Sequence, residues 1–188
     1  MGKALSIGQL RMDSLERAAI SHLNSLGLDD ERCSTWTNCL DNIDFIDALN
    51  SASVCYFLDH VAKLEGFEDS NVALEKTRYR QLPWWDCSIW LPVTFAPPTL
   101  LDDNGFPIFL GSCQALLSDL QGVKDRSSCS LGQSPPGYEQ MRSDINVFYR
   151  SGFQLEDESS IIQWIWKALH DGAQLAIQTS APLLCGPG

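Results

Sequence analysis

Cys113 follows Gly111-Ser112 and heads an apolar series, Cys113, Leu116, Leu117, Leu120 and Val123, whose spacing is helical. A cysteine at a helix start has its thiolate favoured by the positive end of the helix dipole, and a thiolate is the nucleophile of thiol-dependent hydrolases. Such chemistry also needs a base. His22, His60 and His170 are scattered, and no local motif ties any of them to Cys113, whose place in the apolar stripe already accounts for it as a core residue. His170 and Asp171 are neighbours on a predicted helix, where consecutive side chains point about 100° apart, so they are not expected to act as a base and its orienting acid. His60 and Glu65 fall on different helical faces. Cys33 and Cys39 lack the spacing of a zinc site and have no second pair to complete four ligands. Asp102-Asp103 suits a turn better than a glycosidase carboxylate pair. The chain also has no glycine-rich phosphate loop, GxSxG elbow or EF-hand loop. A noncatalytic protein with no metal and no cofactor is the expectation.

Two groups of residues carry the chemistry of recognition instead. Asp41, Asp44 and Asp47 recur three apart at the start of a predicted helix. There they either complement the helix dipole or form an acidic ridge for a basic partner. Trp84, Trp85 and Trp90 precede and enter a predicted strand. Exposed, they would be a docking patch, since large amphipathic rings give much contact area at little entropic cost; covered by a helix, they would be core. The six residues Asp41, Asp44, Asp47, Trp84, Trp85 and Trp90 are the candidate partner-binding set.

These residues must be positioned by the elements around them. Ile89, Leu91, Val93 and Phe95 alternate with Ser88, Trp90, Pro92 and Thr94, which predicts a strand with Trp90 on the face opposite Ile89 and Leu91. Asp103-Asn104-Gly105 tolerates a turn, and Phe106, Ile108 and Leu110 resume the alternation. The pattern therefore predicts a small antiparallel hairpin, residues 88–95 and 106–110, kept at an edge by Pro92 and Pro107. Residues 1–11 read as a loose leader. Met12, Leu15, Ala19, Leu23 and Leu26 predict a first helix ending at Gly27. Ile43, Ile46, Leu49, Val54, Phe57, Val61 and Leu64 predict one long helix from Asn42 to Gly66, and residues 72–79 a short one. Ser112 is the expected N-cap of the Cys113 helix. Residues 124–137 read as a loop, Tyr138 to Gly152 as a helix, and the wide apolar arc after Glu158 as a central helix packed on two sides. Pro182 to Cys185 is a candidate short strand, and residues 186–188 a tail.

Length and composition bound what these elements build. With 188 residues, 44% hydrophobic and 20% charged, the chain has ordinary globular values. The expected fold is one predominantly helical α+β domain spanning 1–188, with about five or six helices packed around the small hairpin. No apolar run reaches bilayer length, and the odd count of seven cysteines reads as reduced cytoplasmic thiols rather than a disulfide framework. Met1-Gly2 with Ser6 matches the bare N-myristoylation pattern, yet one lipid without a second signal anchors weakly. A net charge of −11 repels nucleic-acid phosphates and anionic membranes and attracts a basic protein. The expected function is thus an acidic cytoplasmic protein-binding protein, most concretely an immunity protein or antitoxin that docks on a basic toxin or nuclease. A thiol-dependent hydrolase using Cys113 and a structural subunit of a larger assembly are the alternatives.

Overall fold

Leu5 and Ile7, two residues apart in the stretch expected to be a loose leader, are buried, because Gly2–Ile7 forms a strand, β1. The computed structural model describes residues 2–7, 13–28, 44–103, 105–135, 137–138 and 157–187. The expected 138–152 helix lies outside them apart from Tyr138, as do Cys33, Cys39 and Asp41.

The single long helix predicted from Asn42 is two elements. Asp44–Asn50 is a strand, β2, and Ser51–Leu64 is helix α2, which follows α1 at Asp13–Ser25. The spacing of three between Ile43, Ile46 and Leu49 matches a helix turn, but antiparallel pairing with β1 overrides it. The register runs from Gly2↔Asn50 to Ile7↔Asp44, with an irregularity between Leu5 and Ser6. From Val54 onward helical spacing holds, and Val54, Phe57, Leu58, Val61 and Ala62 are buried.

The hairpin is also rearranged. Ser88–Leu91 is β3, Thr99–Asp103 β4, Phe106–Ser112 β5 and Leu183–Pro187 β6. β3 does not fold back on β5. The two run parallel, Ser88↔Phe109 to Leu91↔Ser112, and the antiparallel partner of β5 is β4, Thr99↔Leu110 to Asp103↔Phe106. The turn stands where the sequence places it: Gly105 takes φ 87° and donates its N–H to Asp102 Oδ1 at 2.7 Å. Pro92 has no N–H to offer a ladder, so β3 stops at Leu91 and the chain travels through Pro97-Pro98 before pairing again. Gly186 and Pro187, expected as tail, pair with Ala4 and Lys3.

The result is a mixed six-stranded sheet in the order β2-β1-β6-β3-β5-β4. The α+β expectation therefore holds at that level, while the small central hairpin is replaced by a broad sheet. Three further helices are α3 at Ser70–Ala73, α4 at Cys113–Arg126 and α5 at Glu158–Thr179. The short helix expected at 72–79 is thus earlier and shorter, and α4 takes the first residues of the expected 124–137 loop. Each begins on a capping side chain: Asp69 accepts from Val72 N, Ser112 from Ala115 N and Asp157 from Ser160 N.

The period of two in the strands separates two cores. Leu5, Ile7, Trp90, Phe109, Leu183 and Cys185 face α2, α4 and α5, whereas Ile89, Leu91, Ile108 and Leu110 face Ala19 and Leu23 of α1. α5 packs against both α2 and α4 and also meets β1, as its wide apolar arc requires.

Candidate functional site

Between α3 and β3 the chain has no regular structure, and polar groups hold it in place. At the end of α2, Glu65, whose side chain is 4% exposed, accepts the Thr77 hydroxyl, the Arg78 amide at 3.2 Å and Arg78 Nε at 2.8 Å. The Tyr79 hydroxyl donates to the Gly122 carbonyl at 3.0 Å. Gln81 is buried and makes three bonds to three places. Its amide donates to Asp119 Oδ2 at 2.8 Å, its Oε1 accepts from Ser112 N at 3.1 Å, and its carbonyl accepts from Trp90 Nε1 at 2.7 Å. Backbone polar groups of a segment outside helix and sheet must find partners when buried, and Gln81 supplies them. A Cβ on Gly111 would lie 2.2 Å from Gln81 Oε1, so glycine is what lets the segment approach β5 this closely.

This anchoring presents Trp84 and Trp85. Trp84 donates its indole N–H to the Tyr79 carbonyl at 2.7 Å, and both rings are half-buried against the larger core. With Leu74, Glu75, Arg80, Pro98, Thr99, Leu100 and Phe109 they line a cleft of about 420 Å³. Of these, Leu100 is 46% exposed, and Phe106, on the same hairpin, is 75% exposed. The cleft is lined mostly by apolar residues and carries one acid and one base, the composition of a recognition pocket.

The six candidate binding residues are not brought together. Trp84 and Trp85 share the cleft. Trp90 is fully buried, on the face predicted for it but covered by helices, so it is core and not a docking residue. Asp44 and Asp47 lie on β2, opposite Ile7 and Leu5 in register, and not at a helix start; β2 and β4 are the two ends of the sheet, so these acids stand at the far edge from the cleft. Phe109 and Leu100 were missed as cleft residues. Alternation signalled Phe109, because a strand with Phe106, Ile108 and Leu110 on one face must turn Phe109 to the other.

The candidate chemistry is placed less favourably. Cys113 is fully buried with its thiol against the Trp90 carbonyl at 3.3 Å, and burial pushes it up to about 12, which holds it protonated and inert. The histidines are engaged elsewhere. His22 meets the Phe95 ring edge-on. His60 Nε2 lies 2.9 Å from Ser127 Oγ, which also accepts the Cys129 amide at 3.1 Å. Burial lowers His60 below its ordinary value; Glu158 opposes this and Lys63 adds to it. This pair ties the end of α4 to α2, and neither member lines the cleft. His170 stacks on Trp166, and contrary to the expectation from helical geometry its Nδ1 reaches Asp171 Oδ1 at 3.3 Å. Asp171 is held mainly by Lys167, one turn earlier, at 2.7 and 2.8 Å. No group of three or more His, Cys, Asp or Glu is placed to hold a metal among the described residues. No helix among them is long and apolar enough to cross a membrane.

Compared with known proteins, the chain matches no family model, no curated protein and no solved structure.

Proposed function

We propose that this chain is a noncatalytic, acidic, cytoplasmic binding protein that docks a basic protein through the Trp84–Trp85 cleft, in its most concrete form a neutraliser of the immunity-protein or antitoxin type. The observation that carries this reading is two half-buried indoles lining an open cleft, held there by a buried polar network, on a chain of net charge −11. Aromatic side chains in partly desolvated pockets are the usual anchors of protein interfaces, each costing about 2 kcal/mol or more on truncation. Negative potential speeds encounter with a basic surface. Asp44 and Asp47, at the opposite end of the sheet, contribute to that steering and not to the contact.

The test is affinity purification of the tagged protein from its native cell, with the double variant Trp84→Ala/Trp85→Ala and the single variant Trp90→Ala in parallel. A basic protein retained by the wild type, with affinity lowered on the order of a hundredfold or more in the double variant, is the expected result. Trp90→Ala should instead lose about 3–5 kcal/mol of folding stability, because it empties a core site. A folded double variant that keeps its partner, or a partner that is acidic, overturns the reading.

A further inference from the structure

Thr99–Asp103 is the last strand of the sheet, and all five of its residues are matched to β5 along one edge only. A strand offers N–H and C=O groups on both edges, so the outer groups of β4 have no ladder partner among the described residues. We infer that this outer edge accepts an extended basic segment of the partner as an added strand, with one apolar side chain of that segment seated in the Trp84–Trp85 cleft. The inference rests on the docking role proposed for that cleft and specifies how the partner is held.

Register supplies the first argument. Leu100 stands opposite Phe109, and both line the cleft, whereas Leu101 stands opposite Ile108 and packs on the α1 side. Cross-strand neighbours share a face, so the residue of an added strand that sits beside Leu100 continues the row Phe109, Leu100 and lies over the cleft. Main-chain bonds to the edge would give the affinity and the cleft would read one side chain, the division of labour in strand-addition complexes. Because the lining is mostly apolar, with the two indoles, Leu74, Leu100 and Phe109, the side chain that enters is apolar.

Charge supplies the second. The edge strand ends in Asp102-Asp103, Glu75 lines the cleft, and the chain as a whole carries −11. Adjacent acids on an edge strand repel a second copy of the same edge and favour a segment with lysine or arginine on either side of its apolar residue. Pro98 immediately before Thr99 has no N–H, so the accepting edge is limited to these few residues.

The experiment uses the full chain and short synthetic peptides of alternating Lys and Thr with one central Leu. The same peptide with Glu for Lys, and one N-methylated at alternate amides in each of the two registers, are the comparisons. Amide hydrogen exchange of residues 99–103 is the readout. The inference expects the basic peptide to slow exchange across 99–103 by about tenfold or more. The acidic peptide should leave it unchanged, and N-methylation in one register should lower affinity at least tenfold. Binding that survives N-methylation in both registers, or that leaves 99–103 unprotected, sinks strand addition while leaving docking in the cleft intact. Absence of any binding at roughly millimolar peptide overturns the inference. Protection of 99–103 in the protein alone, rising with its own concentration, assigns the edge to a second copy and also overturns it.

Discussion

Asp119 is an acid kept where water is scarce. Burial pushes it up to about 6, the nearby Glu65 carboxylate adds to the effect, and the Gln81 amide, which donates to it, opposes. Its folded value stands above the ordinary 3.8, so between about 6 and about 4 the native state binds the extra proton and the unfolded state does not. Native stability from this residue therefore rises as pH falls through that window and is lowest above it. Asp119→Asn should remove the dependence. Urea unfolding at about pH 7.5 and about pH 5 should show the wild type gaining on the order of 1–2 kcal/mol relative to the variant on acidification, after allowance for solvent screening. His60 works in the opposite sense, since burial lowers it and protonation below its unfolded value destabilises the fold, so the comparison must be with the variant at each pH. At this scale much was legible in the sequence. Ser112 caps its helix as its type predicts, and Cys113 lies in the core as its place in the apolar stripe predicts. What the sequence could not show is that Gln81, an ordinary polar residue in an irregular segment, is the hub of the network, because its three partners come from positions 90, 112 and 119.

Elements whose apolar spacing serves a local helix were readable, and those that depend on distant pairing were not. α1, α4 and α5 lie where the 3.6-residue pattern puts them. β2 was hidden inside a helical spacing because its partner, β1, is more than thirty residues away. β3 and β5 were recognised as strands by alternation, but alternation is silent about direction, so a parallel pair was read as a hairpin. The close approach of the 77–85 segment to β5 can be tested at Gly111. Its added Cβ would lie 2.2 Å from Gln81 Oε1 and 2.8 Å from the rings of Phe109 and Trp90. Gly111→Ala should therefore cost about 2–3 kcal/mol in a denaturant titration, the range of overpacked cores. Adding Gln81→Ala should not simply add a second loss, because the smaller side chain relieves the worst overlap. A clearly subadditive pair is the expected outcome, and strict additivity would deny the contact.

For the molecule as a whole, composition indicated an acidic chain with ordinary globular values, but the tryptophans could be read only as a docking patch or as core, and no cleft was legible in them. The cleft's far wall, Leu100 and Phe109, came only with the sheet. Association with a basic partner at a net charge of −11 should be steered over a distance that salt shortens. The association rate should fall about tenfold or more from roughly 20 mM to roughly 500 mM salt while dissociation changes little, which stopped-flow fluorescence of the partner would measure. The order of the strands has another consequence. β6 follows every other strand of the described residues along the chain yet lies inside the sheet, between β1 and β3. Among the described residues the two parts of the sheet, β2-β1 and β3-β5-β4, are joined only through residues 183–187, so a chain cut short before Leu183 would leave no ladder between them.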